Sequence, residues 1–144
     1  MSGLYFAYGS NLDEVQMRSR CPTARGLERA RLPRHRLAFT HYAQRWQGGA
    51  ADVVADAAAS VWGVVYEMGP DDLALLDRFE GGYARVSLAV LLDGREPLQV
   101  TSYAVREKGR FPPHPAYLEK MLRWGARWRL PGEYLSEMVE RARP

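Results

Sequence analysis

The second half of the chain contains a hairpin pattern that strongly constrains the fold. Val86, Leu88, Val90 and Leu92 are large aliphatic residues at every second position, and Arg85, Ser87 and Ala89 alternate with them. This period of two is typical of a half-buried strand, here predicted over Tyr83–Leu92. Asp93-Gly94 then favours a tight turn, and a second strand is expected from about Leu98 to Val105. The sequence therefore predicts an antiparallel strand pair.

Four further strand candidates come before this hairpin: Leu4–Tyr8, Arg36–Tyr42, Ala50–Val54 and Val61–Met68. Four helices are expected. The first is capped by Ser10 or Asn11 and ends near Arg20, and the second, over 71–79, buries Leu73, Leu76 and Phe79. The third contains Tyr117 and Trp124, and the fourth ends near Arg141. We predict an α+β fold, a small mixed β-barrel or strongly curved sheet of about six or seven strands with surrounding helices. A doubly wound parallel sheet fits less well, because long helices do not alternate regularly with the strands.

Length and composition predict one cytoplasmic domain over residues 1–144. The chain is 47% hydrophobic, enough for one sizeable core, and its first residues soon reach acidic positions, so we expect no signal peptide or membrane span. The single cysteine, Cys21, excludes an internal disulfide and agrees with a reducing compartment. His35, His41 and His114 are too scattered for a metal motif, so no metal site is predicted.

Arginine supplies most of the positive charge in a chain whose net charge is +3. The densest stretch, Arg25 to Arg36, contains five arginines and could lie along a phosphate backbone. A solvated, partly paired face is the favoured interpretation, because the net charge is small and acidic residues occur throughout. We therefore predict neither a nucleic-acid partner nor a membrane partner.

The segment Tyr8-Gly9-Ser10-Asn11-Leu12 predicts a loop between a strand and a helix. Such a loop directs several backbone N–H groups one way, so the amides of Gly9, Ser10 and Asn11 could hold a carboxylate or an oxyanion. An ordinary tight turn is the alternative, and five residues do not decide between them.

Glu80 is the candidate acid or base. It lies between Phe79 and the pair Gly81-Gly82, just after a predicted helix. Partial burial and the negative end of the helix would both raise its pKa, as a general base requires. A solvent-exposed acid after a helix is the alternative. Tyr103 and Tyr117 are candidates for pocket walls, although most aromatic residues of this kind are simply core.

Taken together, these segments resemble the γ-glutamylcyclotransferase family over nearly the whole chain. The similar segments, in order, are LYFAYGSNL from Leu4, WQGGA from Trp46, Val61–Met68, LDRFEG from Leu76, Ser102-Tyr103, PHPAY from Pro113, Gly125-Ala126 and Leu130-Pro131. Each segment is weak alone, but their order and spacing are specific. Two departures are His114, where a small residue is common, and the strongly charged loop from Arg106 to Arg110.

The resemblance implies a compact barrel-like fold, cofactor-free chemistry and a small γ-glutamyl substrate that cyclises to 5-oxoproline. It implies Glu80 as the catalytic residue, with the loop from Tyr8 to Leu12, Tyr103 and Tyr117 around the substrate, and it is compatible with a homodimer. The leaving amine stays open. The alternatives are removal of a γ-glutamyl cap from a biosynthetic intermediate or isopeptide, and a non-catalytic module that binds a ligand or nucleic acid.

Overall fold

The protein, described over residues 3–144 by a computed structural model, is built around a closed β-barrel. Met1 and Ser2, which begin the segment considered above for a signal peptide, lie outside the described residues. The five strands are β1 (Gly3–Ala7), β2 (Arg25–Ala43), β3 (Gly48–Met68), β4 (Tyr83–Leu92) and β5 (Leu98–Val105). Their order around the barrel is β1-β3-β2-β4-β5, and parallel pairing of β5 with β1 closes it. The predicted α+β barrel is confirmed, as is the hairpin of β4 and β5.

One very long strand explains why the structure has five strands where six or seven were expected. β3 runs through the alanine-rich segment 55–60 and so joins two predicted strands, Ala50–Val54 and Val61–Met68, into one. β2 extends the predicted strand Arg36–Tyr42 back through Pro33 to Arg25. A register shift between Pro33 and His35, with Arg34 at φ 59°, absorbs the proline without ending the strand. Pro33 and the alanine-rich segment therefore lie at an irregularity within one long antiparallel hairpin and do not end its strands.

The basic stretch Arg25–Arg36 lies in the first part of β2. Ala30 and Leu32 point into the core, and the intervening arginines take the opposite face. Arg25 pairs with Glu67 at 2.8 Å, and Arg29 pairs with Asp93 at 3.1 Å. The solvated, partly paired face predicted for this stretch is what the structure shows.

Four helices lie around the barrel: α1 (Glu14–Arg20), α2 (Asp72–Asp77), α3 (Pro115–Arg127) and α4 (Gly132–Arg141). The predicted cap of α1 was wrong: Ser10–Leu12 form a 3-10 turn, and Asp13 caps the helix by accepting a hydrogen bond from the Gln16 amide at 3.0 Å. The 3-10 turn uses up the residues before Asp13, which is therefore the first side chain placed to receive the free amides of α1. None of these helices combines the length and apolar character needed to cross a bilayer.

The prediction that α2 buries Phe79 was also wrong. Leu76 is fully buried, but α2 ends at Asp77, so Phe79 lies beyond the helical spacing and is 48% exposed. The Arg20 guanidinium covers the ring at 4.6 Å from its centroid. Arg20 and Phe79 thus form a wall beside Glu80, and not part of the core.

Candidate active site

A cavity with about 320 Å³ of empty volume, including its open mouth, lies where the end of β1 meets α3 and the segment after α2. Five of its lining residues are tyrosines. The lining is formed by Tyr5, Tyr8, Gly9, Ser10, Asn11, Ala51, Glu80, Tyr83, Tyr103 and Tyr117. Residues from both halves of the chain therefore meet in one pocket, which we call the inner cavity.

Glu80 provides the carboxylate of the inner cavity. A turn after α2 holds its backbone, because the Glu80 amide donates to the Asp77 carbonyl at 3.1 Å and its carbonyl accepts from the Tyr83 amide at 3.0 Å. Its side chain makes no hydrogen bond or ion pair with any residue from 3 to 144. The backbone of Glu80 is thus held in place, and its carboxylate is available to a ligand.

Burial raises the pKa of Glu80 to about 7; the positive charge of Arg20 opposes this rise, and the negative charge of Asp77 adds to it. The direction agrees with the expectation from sequence, with burial as the main cause. A carboxyl group with this pKa exchanges a proton readily near neutral pH.

The five tyrosines of the inner cavity cannot compete with Glu80 as bases. Burial is the main cause that raises the pKa of every one of them, that of Tyr117 to about 12, so their hydroxyls stay protonated at neutral pH. Among the described residues that line the cavity, Glu80 alone titrates near pH 7.

Some of these tyrosine hydroxyls donate a hydrogen bond to the backbone, and another accepts one from it. Tyr8 donates to the Tyr103 carbonyl at 2.6 Å, and Tyr83 donates to the Ala51 carbonyl at 2.6 Å, which leaves both phenolic oxygens as acceptors. Tyr117 does the reverse: its oxygen accepts from the Ala51 amide at 3.0 Å, so its own proton is free to be donated. The cavity therefore offers acceptors to a positively charged group and a donor to a carbonyl oxygen.

The loop from Tyr8 to Leu12 holds its place through buried hydrogen bonds. Asn11 donates to the Tyr5 hydroxyl at 3.1 Å, and its side-chain oxygen accepts from Gln16 and Arg20 at 3.0 and 3.2 Å. Gly9 allows a close approach, since a Cβ there would lie 3.2 Å from both the Ala51 Cβ and the Tyr117 hydroxyl and would push them by a few tenths of an ångström.

The sequence comparison with known families adds a decisive observation. A family profile described as "Gamma-glutamyl cyclotransferase, AIG2-like" matches residues 5–125, which include every residue that lines the inner cavity. The chain belongs to this family.

Individual members of the cyclotransferase family match most of the chain. The γ-glutamylcyclotransferase of Mus musculus is 34% identical over 144 residues, covering 94% of this chain and 76% of that protein. The γ-glutamylcyclotransferase of Homo sapiens is 34% identical over 146 residues, covering 95% and 77%. A solved γ-glutamyl cyclotransferase superposes with a TM-score of 0.92 at 31% identity, covering 96% of this chain and 87% of the other.

Seven of the eight site residues predicted from sequence line the inner cavity: Tyr8, Gly9, Ser10, Asn11, Glu80, Tyr103 and Tyr117. Leu12 does not, because its side chain is fully buried in the core, where a ligand cannot reach it. Tyr5, Ala51 and Tyr83 were missed. The position of Tyr83 directly after Gly81-Gly82 could have indicated it, whereas Tyr5 and Ala51 look like ordinary strand residues.

One segment that carries the family resemblance and one that departs from it have structural roles here. Gly48 and Gly49 let the chain after β5 pack directly on β3: a Cβ on Gly49 would lie 1.7 Å from the Phe111 carbonyl oxygen. In the charged loop, Lys108 binds the fully buried Asp52 at 2.7 Å, and the Gly109 amide donates to the Thr40 carbonyl at 2.7 Å. This loop is therefore fastened to the barrel.

Proposed function

We propose that this member of the cyclotransferase family converts a γ-glutamyl group to 5-oxoproline and releases the attached amine, with Glu80 as the residue that transfers the proton. The observation that carries the assignment is the inner cavity itself. Among residues 3–144 it holds one carboxyl group, whose pKa is raised to about 7 and whose side chain makes no hydrogen bond or ion pair with them, and this group faces five protonated tyrosines.

The reaction begins when the Glu80 carboxylate takes a proton from the α-ammonium of the bound γ-glutamyl group. Tyr8 and Tyr83 present acceptor oxygens to the same ammonium, and the loop from Gly9 to Asn11 binds the α-carboxylate. The freed amine then attacks the γ-carbonyl carbon and closes a five-membered ring. Because both reacting groups belong to one molecule, holding the right conformer supplies much of the acceleration.

Ring closure places negative charge on the former carbonyl oxygen, and Tyr117 is the donor placed to stabilise it. Its hydroxyl accepts from the Ala51 amide, so its proton points to a ligand and not to the backbone. Collapse of this intermediate breaks the original amide bond. Glu80 gives its proton to the departing nitrogen as this bond breaks, and the ring nitrogen loses its second proton to solvent, so that 5-oxoproline has a neutral lactam and the amine leaves neutral.

Binding of nucleic acid is not favoured, because the arginines of Arg25–Arg36 lie along a strand and two of them have acidic partners. The comparisons likewise favour the enzyme over a non-catalytic module. We further propose that residues 1–144 act as one domain in the cytoplasm, supported by the barrel core shared with the helices and by the free, buried Cys21. That the protein forms a homodimer stays a prediction, which light scattering of the purified protein can test.

The direct test follows 5-oxoproline by mass spectrometry with a panel of γ-glutamyl dipeptides, γ-glutamyl-lysine isopeptide and glutathione. Wild-type protein should form 5-oxoproline from at least one substrate, and Glu80→Gln should lose about 10²- to 10⁴-fold in turnover. Glu107→Gln, an exposed change in the charged loop, is the matched control and should keep wild-type turnover. Near-normal turnover in Glu80→Gln would refute the role of Glu80, and no product from any substrate would refute the reaction.

A further inference from the structure

A side-chain network lies behind the loop that follows β1 and joins α1 to α3. Gln16 of α1 is at its centre and is only 9% exposed. Its NH₂ group donates to the Ser10 hydroxyl at 2.9 Å and to the Asn11 side-chain oxygen at 3.0 Å. Its own side-chain oxygen accepts from Lys120 of α3 at 2.5 Å. The network therefore reaches two residues that line the inner cavity.

Lys120 determines which end of the Gln16 amide faces this loop. An ammonium group can only donate, so the Gln16 oxygen has to face Lys120 and the NH₂ group has to face the loop. Lys120 is itself held in place: its side chain is only 18% exposed, pairs with Asp13 at 3.2 Å and lies 5.4 Å from the centre of the Trp46 ring. A fixed positive charge thus gives the amide a single orientation.

This orientation leaves the Ser10 hydroxyl as a donor. The Ser10 oxygen accepts from Gln16, so its own proton has to point elsewhere. Among residues 3–144, no acceptor takes this proton. Because Ser10 lines the inner cavity, its proton is available to a ligand bound there.

The same constraint reaches the Tyr5 hydroxyl through Asn11. Gln16 and Arg20 both donate to the Asn11 side-chain oxygen, at 3.0 and 3.2 Å. The NH₂ group of Asn11 therefore faces the other way and donates to the Tyr5 hydroxyl at 3.1 Å. The Tyr5 oxygen is thus used as an acceptor, and its proton is free for a ligand in the inner cavity.

We propose that Lys120, acting through Gln16, keeps two cavity hydroxyls as hydrogen-bond donors to the α-carboxylate of the substrate. The two hydroxyls are those of Ser10 and Tyr5. Neither Lys120 nor Gln16 lines the inner cavity, so both are positioning residues. This inference rests on the proposed cyclisation. It explains how a pocket rich in hydroxyl groups, each able to donate or to accept, presents a fixed set of donors to an anion.

The competing account is that the network only holds the loop in place. Gln16→Glu separates the two accounts, because the side chain keeps its shape and can still pair with Lys120. The introduced carboxylate can only accept, so it draws the Ser10 proton away from the cavity and repels the Asn11 oxygen. A role in shape alone would tolerate this change, and a role in hydrogen-bond direction would not.

The kinetic test uses the γ-glutamyl dipeptide on which the wild-type protein is most active. Gln16→Glu should raise KM about tenfold or more and change kcat about threefold or less, since a contact to the α-carboxylate is made equally before and during ring closure. Val15→Glu, which places the same charge on α1 at a position 71% exposed, is the control and should keep the wild-type KM. An unchanged KM in Gln16→Glu would overturn the proposal.

A second substrate shows whether the lost contact is a donor to the carboxylate. In the matched dipeptide, a carboxamide replaces the glutamyl α-carboxylate. Wild-type protein should prefer the carboxylate, and Gln16→Glu should lower this preference about fivefold or more, because a reversed Ser10 hydroxyl accepts from the carboxamide NH₂. Equal losses of kcat/KM on both substrates would show a loosened loop and would contradict the proposal.

Variants of Lys120 test the other end of the network. Lys120→Met should raise KM about tenfold, and Lys120→Arg should stay within about threefold of the wild type, because a guanidinium also only donates. Arg123→Met removes an exposed charge from the same helix and is the matched control. Equal KM values in Lys120→Met and Arg123→Met would refute the role of Lys120. If circular dichroism shows that Lys120→Met is unfolded, Gln16→Glu decides the matter.

Neutron diffraction from crystals exchanged into D₂O measures the hydroxyl directions without any turnover. In the wild-type protein, the deuterons on Ser10 and Tyr5 should point into the inner cavity, and in Gln16→Glu the Ser10 deuteron should point to the introduced carboxylate. A wild-type Ser10 deuteron directed at Gln16 would overturn the proposal. If no substrate yields 5-oxoproline, the cyclisation is refuted separately, and the deuteron positions still decide whether Lys120 and Gln16 orient these hydroxyls.

Discussion

Glu80 should make the protein less stable as the pH rises, which is the reverse of the usual behaviour of an acidic residue. Burial raises its pKa from an ordinary value of 4.5 to about 7. Between these two values the folded protein holds a proton that the unfolded chain has lost, so the free energy of unfolding falls as the pH increases through this window. The pKa difference corresponds to about 3 kcal/mol, an upper bound for a group that retains some exposure.

The perturbation that isolates this effect is Glu80→Gln, which is neutral at every pH. Urea unfolding of variant and wild type, followed by tryptophan fluorescence, should give similar stabilities near pH 4. By pH 8 the variant should be the more stable by up to about 3 kcal/mol. With an m-value of about 2 kcal/mol/M, this is a difference of about 1.5 M urea between the midpoints.

Glu107→Gln supplies the control, because its side chain is exposed and unpaired among residues 3–144. Its unfolding should follow the wild-type pH dependence throughout. If Glu80→Gln also follows the wild-type curve, burial does not raise the pKa of Glu80. The physical reason for assigning Glu80 as the base would then be lost. The same titration predicts that kcat/KM rises with pH through about 7, since only ionised Glu80 can accept a proton.

Three further predictions concern the cavity and the barrel. Gly9→Ala should lower kcat/KM about tenfold or more, because the added Cβ would lie 3.2 Å from the Tyr117 hydroxyl and would push it out of position. Circular dichroism should show that the variant stays folded. Tyr117→Phe should reduce turnover and cost about 1–3 kcal/mol in urea unfolding, since the Ala51 amide loses its acceptor; wild-type turnover would contradict the proposed donor. Asp52→Ala should destabilise by about 3–5 kcal/mol, as it leaves the Lys108 charge and two backbone amides unpaired. The exposed Asp71→Ala should change stability by about 0.5 kcal/mol or less, and equal effects of the two aspartates would refute this account.

Sequence patterns predicted the fold where a local pattern matched the final packing. The alternation in Tyr83–Leu92 gave a strand with the expected inward face, and Asp93-Gly94 gave its turn. The strand count was wrong because the alanine-rich segment 55–60 looks like a turn between two strands, whereas pairing over the full length of the long hairpin carries β3 through it. Tertiary hydrogen bonding here overrides local preference.

The site was predicted in part for a similar reason. The position of Glu80 before two glycines and the loop after β1 are visible in the sequence, and the family resemblance strengthened both. Tyr5 and Arg20 gave no such signal, since one lies within a strand and the other ends a helix. Only the closed barrel brings them to the same place, so no local pattern can report their role.

The pairing of β1 with β5, which closes the barrel, also sets the order in which this protein can fold during synthesis. The Ser102 hydroxyl donates to the Phe6 carbonyl at 2.7 Å across 96 residues of chain, and β1 lies beside β5 there. During synthesis β1 can pair with β3 first, but its other edge must wait about 5–20 s for β5 to be made. Tyr103 belongs to β5 and α3 follows it, so the walls of the cavity arrive last. Catalytic competence should therefore appear as the final event of folding, and the onset of turnover would time the closing of the barrel.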